Sequence, residues 1–494
     1  METQHKYLYG ASIQGIQNFI FQTNKLKDII YGSDLVEKIC MEEFKEFEKN
    51  GKSIVKAAGN IKHVFDKEED CRNAVLNFPK KIMSLAPSIT VTQAVVSFSP
   101  DSDFEKTILE LEDRLKIQKN KPARSMTLGL AAIERSPLSG LLEDDKTNEA
   151  HKIKTNSETS NLIQNFFGED LSDDRIAYDI DKIAGENNWI AVIHADGNGM
   201  GSIVQQIGKN ENDLKQFSSN VQEITKHAAQ TAFKDLNNES MFLNPIPFRP
   251  VILGGDDLTL ICRADLAIPY TQIFLETFEN ESKKKFDEIE LKIPEHKQLL
   301  KKGLTACAGI SFIKTTYPFH YAADLAESLC KQAKTKAREI DEALAPSCLM
   351  FHKVQDSFTE DYKEIVKREL TPQFGLSFEF GPYYCGAHAK EKECENTISS
   401  LLENVSKLKG KEGNSVKSGI RQWLNLLFEN TDAANQKMKR LRTVNKTANT
   451  FIPDKFEKIE INEKNRKEKP IRVPYYDILS LLSLENDNKN QEKK

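Results

Sequence analysis

Apolar and polar positions alternate through "KYLYGASI" near the N-terminus, and a period of two marks a strand. A helical spacing follows in "SDLVEKICMEEFKEFEK", where Leu35, Ile39 and Phe44 recur at near-helical intervals and Ser33 is placed to cap the first turn. Two short strand patterns, "SIVKAAG" and "KHVF", then precede a helical stretch over 67–84, a long alternating strand "SITVTQAVVSF" and a helix over 103–117. The order is β-α-β-β-α-β with a trailing helix, which predicts a ferredoxin-like unit.

The same order returns further along. "WIAVIHAD" reads as a strand, 212–236 as a helix, "PVILGG" and "LTLIC" as a strand pair, 267–286 as a helix, "LTACAGISFI" as a strand and "YAADLAESLCKQAKTKAREI" as a helix. The hairpin "VKAAGNIKHVF" of the first copy aligns by eye with "VILGGDDLTLI" of the second, which sets Asn60 and Ile61 against Asp256 and Asp257. Where the second copy has Asp196, the first has the uncharged run Ser12 to Gln14. An internal repeat exposes such differences, and here the acidic residues belong to one copy only. Folding alone therefore does not require them.

These patterns predict an α+β protein with two ferredoxin-like domains in tandem and a helical C-terminal domain: a first domain over 1–120, a linker or insertion over 121–187, a second domain over 188–354 and the helical domain over 355–494. The linker is expected from the polar, turn-rich "ERSPLSGLLEDDKTNEAHKIKTNSETS". "INEKNRKEKP" and the terminal "ENDNKNQEKK" read as solvated segments.

Composition narrows the function classes. A chain of 494 residues is long for one core, so roughly two to four domains are expected. With 29% charged residues but a net charge of only -5, no global basic field exists, and any polyanion contact is local. No signal segment or membrane-length apolar run is present, so a cytoplasmic protein with no membrane partner is expected. The eight cysteines contain no Cys-x-x-Cys pair, and Cys262 and Cys307 lie within strand-like runs as reduced packing residues. Cys385, His388 and Cys394 lack an evident fourth ligand and a regular spacing, so a structural zinc is not expected.

The chemistry concentrates in the second copy. In a β-α-β-β unit the end of the first strand and the turn of the following hairpin lie side by side, which would gather Asp196, Asp256 and Asp257. Three carboxylates in one place call for a counter-charge, and Mg²⁺ or Mn²⁺, hard ions that favour oxygen ligands, suit them. After Asp196, the turn of Gly197, Asn198 and Gly199 opens a helix, and its backbone N–H groups can approach phosphate oxygens. Gly254 and Gly255 stand at the hairpin turn, and Lys331, Lys334 and Lys336 on the last helix supply cations for a polyphosphate tail. Two metal ions held by such carboxylates can activate a 3′-hydroxyl for in-line attack on an α-phosphate and stabilise departing pyrophosphate.

"HADGNGMG", "ILGGDDLTLI" and "TACAGISFIKTTYPFHYAADLAESLCKQAKTKAR" resemble, in order and spacing, the second palm domain of the large polymerase-cyclase subunit of type III CRISPR effector complexes. "IQGIQNFIFQTNKLKDIIYGSDLVEKI" resembles the opening of that family's first palm, and the likeness covers about residues 6–350. The resemblance implies an enzyme with two palms facing each other that joins ATP molecules into cyclic oligoadenylates in prokaryotic antiviral defence. It also implies metal binding and catalysis by Asp196, Asp256 and Asp257, a triphosphate contact by Lys334, and Gly59 and Asn60 of the first palm facing a second nucleotide.

The chain departs from the family pattern in having no His-Asp dipeptide and no cysteine over 135–188. A shortened or stand-alone member without the histidine-aspartate nuclease or the zinc finger is therefore expected. Two rival readings remain: a non-catalytic palm scaffold for nucleotide or ribonucleoprotein, and a cyclase making cyclic mono- or dinucleotides. Intact carboxylates weigh against the first, and Leu258 after the second Asp sets the hairpin apart from the "GGDEF" of diguanylate cyclases. The basic helical tail, with Lys437, Lys439, Arg440 and Arg442, is a candidate contact for RNA or for other defence-complex subunits, although a basic helix face more often serves solubility alone.

Overall fold

The structure, a computed structural model, describes residues 5–21, 26–57, 59–86, 89–99, 104–121, 161–169, 171–208, 210–237, 245–356, 361–373, 375–446, 448–456, 459 and 470–484. Residues 122–160 of the predicted linker and the two solvated segments, apart from Pro470, fall outside these residues.

Strands β1 (Lys6–Gln14), β2 (Gly51–Ala57), β3 (Asn60–Phe65) and β4 (Thr90–Phe98) form an antiparallel sheet in the order β2-β3-β1-β4. Strands β5 (Trp189–Gly197), β6 (Phe248–Gly254), β7 (Asp257–Arg263) and β8 (Ala306–Lys314) repeat that order as β6-β7-β5-β8. The second sheet then grows by β9 (Cys348–Lys353), parallel to β8, and by the short strand Tyr383–Tyr384. It thus runs past residue 354 into the segment expected to be helical.

The two copies agree in detail. The strand β2 bulges between Ser53 and Val55, and β6 bulges between Pro250 and Ile252. Gly15 follows β1 with φ 68° and Gly199 follows β5 with φ 69°, each opening a helix from a left-handed conformation that glycine adopts at little cost. Ala57 pairs with Asn60 as Gly254 pairs with Asp257. Gly59 therefore holds the place of Asp256, and Asn60 that of Asp257, one residue away from the match made by eye. That match set glycine upon glycine, whereas the paired strands set turn upon turn.

Period-two alternation decides which core each side chain joins. Tyr9, Ala11 and Ile13 share one buried cluster with Ile190 and Val192, so the two copies are packed together through apolar contact. Leu8 of β1, and Ala191, Ile193 and Ala195 of β5, belong to another cluster that extends to Trp423 in the helical C-terminal part. The helix Asn161–Phe167, inside the expected linker, buries Ile163, Phe166 and Phe167 in that second cluster.

Ser33 does not cap a helix. The helix runs over Leu26–Met41 and so includes Ser33, whose hydroxyl donates to the Val251 carbonyl of the other copy's edge strand. Its polar group serves packing between the copies, not a helix end.

The helix Phe319–Arg338 lies so close on β8 that a Cβ on Gly309 would stand 1.9 Å from the Ala326 carbonyl oxygen. Gly309→Ala must push that helix away, at about 1–3 kcal/mol by the usual cost of overpacking. A fall of several degrees in the melting temperature is expected by calorimetry, with an unchanged melt as the contrary result.

Candidate active site

Asp196 stands near the end of β5, and the β6–β7 turn carries Asp256 and leads into Asp257. The pairing of Ala195 with Leu258 brings Asp196 beside that turn, although the residues are far apart in sequence. Asp196 Oδ, Asp257 Oδ and a ring nitrogen of His194 all lie within 4.8 Å of one another. Asp256 stands close by: a Cβ on Gly197 would be 2.9 Å from Asp256 Oδ2, and the Asp256 carboxyl shares a hydrogen bond with Asp196. Thr225 of the helix Glu211–Asn237 donates to the Gly255 carbonyl at 2.7 Å and fixes the turn.

The electrostatics follow from this crowding. Burial raises the Asp256 carboxyl, and the charge of Asp196 raises it further, to about 7. Asp257 is pushed well above the usual carboxylate range by burial and then by the charges of Asp256 and Asp196. Burial pushes Asp196 the same way, but the ammonium of Lys334 outweighs it and holds this carboxyl below its ordinary value. Lys334 is ion-paired with Asp196 and donates to the Gly197 carbonyl at 2.7 Å. Burial keeps His194 neutral by lowering its pKa, and its Nδ1 lies 3.2 Å from Thr259 Oγ1.

A divalent cation fits this donor set. Two carboxyls that resist ionisation beside a third that is ionised lack positive charge, and the ligands are hard oxygens with one neutral imidazole. Of the three expected ligands, Asp196 and Asp257 stand with His194 in one group that could hold the ion, and Asp256 lies outside that group. His194 adjoins them and was not singled out in the sequence, although two residues along a strand share a face and "HAD" places His194 on the face of Asp196. Register sets Gly10 of the first copy at the place of His194, and Ser12 at that of Asp196.

The other expected site residues are placed unevenly. Gly59 and Gly254 line a cavity of about 390 Å³ between the two copies, together with Asp257, Gly15 and Lys56. Gly255 and Gly197 shape the acidic turn, and Gly199 begins the helix Met200–Ile207. Asn60 is exposed at the start of β3. Asn198 is buried and turned inward, its amide donating to Thr305 Oγ1 at 3.1 Å and to the Ala345 carbonyl at 3.2 Å, so it braces the loop. Lys331 is exposed one turn before Lys334, and Lys336 is bound to Glu379 at 2.9 Å, away from the carboxylates. His388 faces Asp341 and Glu391 at 3.3 and 3.4 Å, and it forms no metal-ligand cluster with Cys385 and Cys394 among the described residues.

Asp256 and Asp257 are both raised above the unfolded chain's carboxylates, so their contribution is most favourable below about pH 4, and that of Asp256 is lost as pH rises through about 7. The melting temperature of the metal-free protein should therefore fall between pH 6 and pH 8. Added Mg²⁺ should restore it more at pH 8 than at pH 6, and Asp256→Asn should flatten the pH response. A pH-independent melt with no metal effect would contradict the assignment.

The family model described as Cas10/Cmr2, second palm domain, matches residues 189–341, the segment that contains this site. A search of curated proteins found no match. Among solved structures, the Csm1-Csm4 cassette in complex with one ATP matches at 13% identity and a TM-score of 0.55, covering 98% of this chain and 70% of the other. The cassette in complex with cA4 matches at 12% identity and a TM-score of 0.55, with 98% and 70% covered. The Csm1-Csm4 subcomplex in the type III-A CRISPR-Csm interference complex matches at 13% identity and a TM-score of 0.54, with 98% and 69% covered. Residues 189–341 thus match a Cas10/Cmr2 second palm domain around the acidic site, and nearly the whole chain shares the fold of those Csm1-Csm4 structures.

Proposed function

We propose that this chain is a metal-dependent nucleotidyltransferase that joins ATP molecules into cyclic oligoadenylate, releasing pyrophosphate, in a type III CRISPR-like antiviral system. The observation that carries the reading is the gathering of Asp196, Asp256 and Asp257 at the edge of the cavity between two like-folded units, in one unit only. The reading treats the two units as tandem ferredoxin-like palms, of which the first binds a nucleotide without metal ligands. Related structures support it by their contents, since the Csm1-Csm4 cassette was crystallised with AMPPNP, pppApA, cA3 and cA4.

In each step the 3′-hydroxyl oxygen of one nucleotide attacks the α-phosphorus of another. The new P–O bond forms as the bond to the β-phosphate bridging oxygen breaks, pyrophosphate leaves with the electron pair, and the hydroxyl proton passes to water. A divalent ion held by Asp196, Asp256 and Asp257 would supply positive charge that acidifies the hydroxyl and offsets the charge on the phosphates. Lys334, which stands beside Asp196, would meet the triphosphate. Gly197 and Gly199 let the backbone approach phosphate oxygens without a side chain in the way. The C-terminal part over 355–494 is a candidate for contacts with RNA or other defence-complex subunits, and the cytoplasm supplies the ATP and metal. No helix among the described residues is long and apolar enough to cross a membrane.

Incubation of the protein with each of the four NTPs and Mg²⁺ or Mn²⁺, followed by mass spectrometry, tests this. A cyclic adenylate is expected from ATP, and Asp256→Ala/Asp257→Ala should reduce its rate by roughly a hundredfold or more, the scale for losing preorganised charge stabilisation. Equal product from that variant, with the fold intact, would overturn the role of the carboxylates. Lys334→Ala should raise the KM for ATP, and an unchanged saturation curve would remove Lys334 from the phosphate site.

A further inference from the structure

His194 lies at the acidic site, yet packing does not ask for an imidazole there. The first copy shows what packing alone needs at that position. Gly10 pairs with Ala94, and a Cβ on Gly10 would stand 2.9 Å from Leu111 Cδ2 of the helix Phe104–Lys119, which fills the space. In the second copy the matching pair is His194 and Gly309, so the glycine has moved to the neighbouring strand. The helix Phe319–Arg338 settles on Gly309 instead, and position 194 takes a ring.

That ring is fixed at one nitrogen and unpaired at the other. His194 is only 8% exposed, its Nδ1 lies 3.2 Å from Thr259 Oγ1, and Nε2 has no hydrogen-bond partner among the described residues. A buried polar atom left without a partner is costly, and a cation in reach of its lone pair removes the cost. The neighbours suit that role, since a ring nitrogen of His194 and carboxylate oxygens of Asp196 and Asp257 lie within 4.8 Å of one another. Thr259 stands opposite His194 in the pairing of β5 with β7. When Nε2 gives its lone pair to a cation, the ring proton sits on Nδ1 and is donated to Thr259 Oγ1, so the hydroxyl fixes the tautomer from behind. Carboxylates alone suit Mg²⁺, which favours oxygen ligands and water. An imidazole nitrogen adds affinity for first-row transition dications and little for Mg²⁺.

We propose that His194 is itself a metal ligand, through Nε2, with Thr259 as its positioning residue, and that this nitrogen makes the site take Mn²⁺ in preference to Mg²⁺. This rests on the reading of the acidic turn as a metal site and names the ion it selects. Calorimetric titration of the full chain with Mn²⁺ and with Mg²⁺, together with electron paramagnetic resonance of the bound Mn²⁺, tests it. The intact protein should bind Mn²⁺ the more tightly and show nitrogen hyperfine coupling. His194→Gln, which puts a hard amide oxygen in place of the imidazole, should remove that coupling and weaken Mn²⁺ binding by roughly ten- to a hundredfold with Mg²⁺ binding little changed, and Thr259→Val should weaken Mn²⁺ binding by roughly tenfold. A merely structural histidine would produce no nitrogen coupling and no loss confined to Mn²⁺. Bound Mn²⁺ without nitrogen coupling in the intact protein, or an equal loss of both ions in His194→Gln, overturns His194 as a ligand and leaves the carboxylate site standing. No binding of either ion to the intact chain overturns both.

Discussion

The repulsion among Asp196, Asp256 and Asp257 is the constraint around which the second copy is arranged. Like charges held this close resist ionisation, and the backbone holds them there all the same: β5 ends beside the β6–β7 turn, and Thr225 fixes the turn. Lys334 neutralises one carboxylate, and burial leaves the other two raised. A fold has no use for such a cluster as packing. The first copy shows this, since Ser12, Gly59 and Asn60 occupy the same three places with no charge at all.

That comparison is meaningful because the copies match at the level of bulge, turn and helix entry. The shared bulge in the edge strands, the paired left-handed glycines and the common strand order make the framework a constant against which the acidic residues stand out. Apolar contact between Tyr9, Ala11, Ile13 and the Ile190–Val192 face binds the two units into one core. The cavity between them is thus framed by elements of both. One half brings carboxylates and the other brings a hairpin turn without them, and the space between is walled by apolar side chains with a few polar groups, the usual character of a small-molecule site.

Much of this was legible in the sequence because strand alternation and helical spacing are local properties. The two β-α-β-β-α-β runs and the joining of Asp196 with Asp256 and Asp257 followed from them. What escaped depends on long-range contact. Ser33 looked like a cap because its polarity breaks the apolar spacing, yet its partner is Val251 of the other unit. The register between hairpins was off by one because glycine is a poor marker of where a two-residue turn falls. The added strands β9 and Tyr383–Tyr384 form only by pairing with distant segments, and Lys336 is drawn off by Glu379, which local pattern does not reveal. His194 was readable from its two-residue offset to Asp196, a signal easily passed over in a buried strand.

The central claim is that divalent metal binds in one copy alone, on the carboxylates of the second. Anomalous diffraction at the manganese edge, from crystals of the intact chain grown with Mn²⁺ and an ATP analogue, tests it most directly. The account predicts anomalous density between Asp196 and Asp257, with none beside Gly59 and Asn60. Manganese in the first copy's hairpin, or none at the second copy's carboxylates with the nucleotide bound, would contradict it.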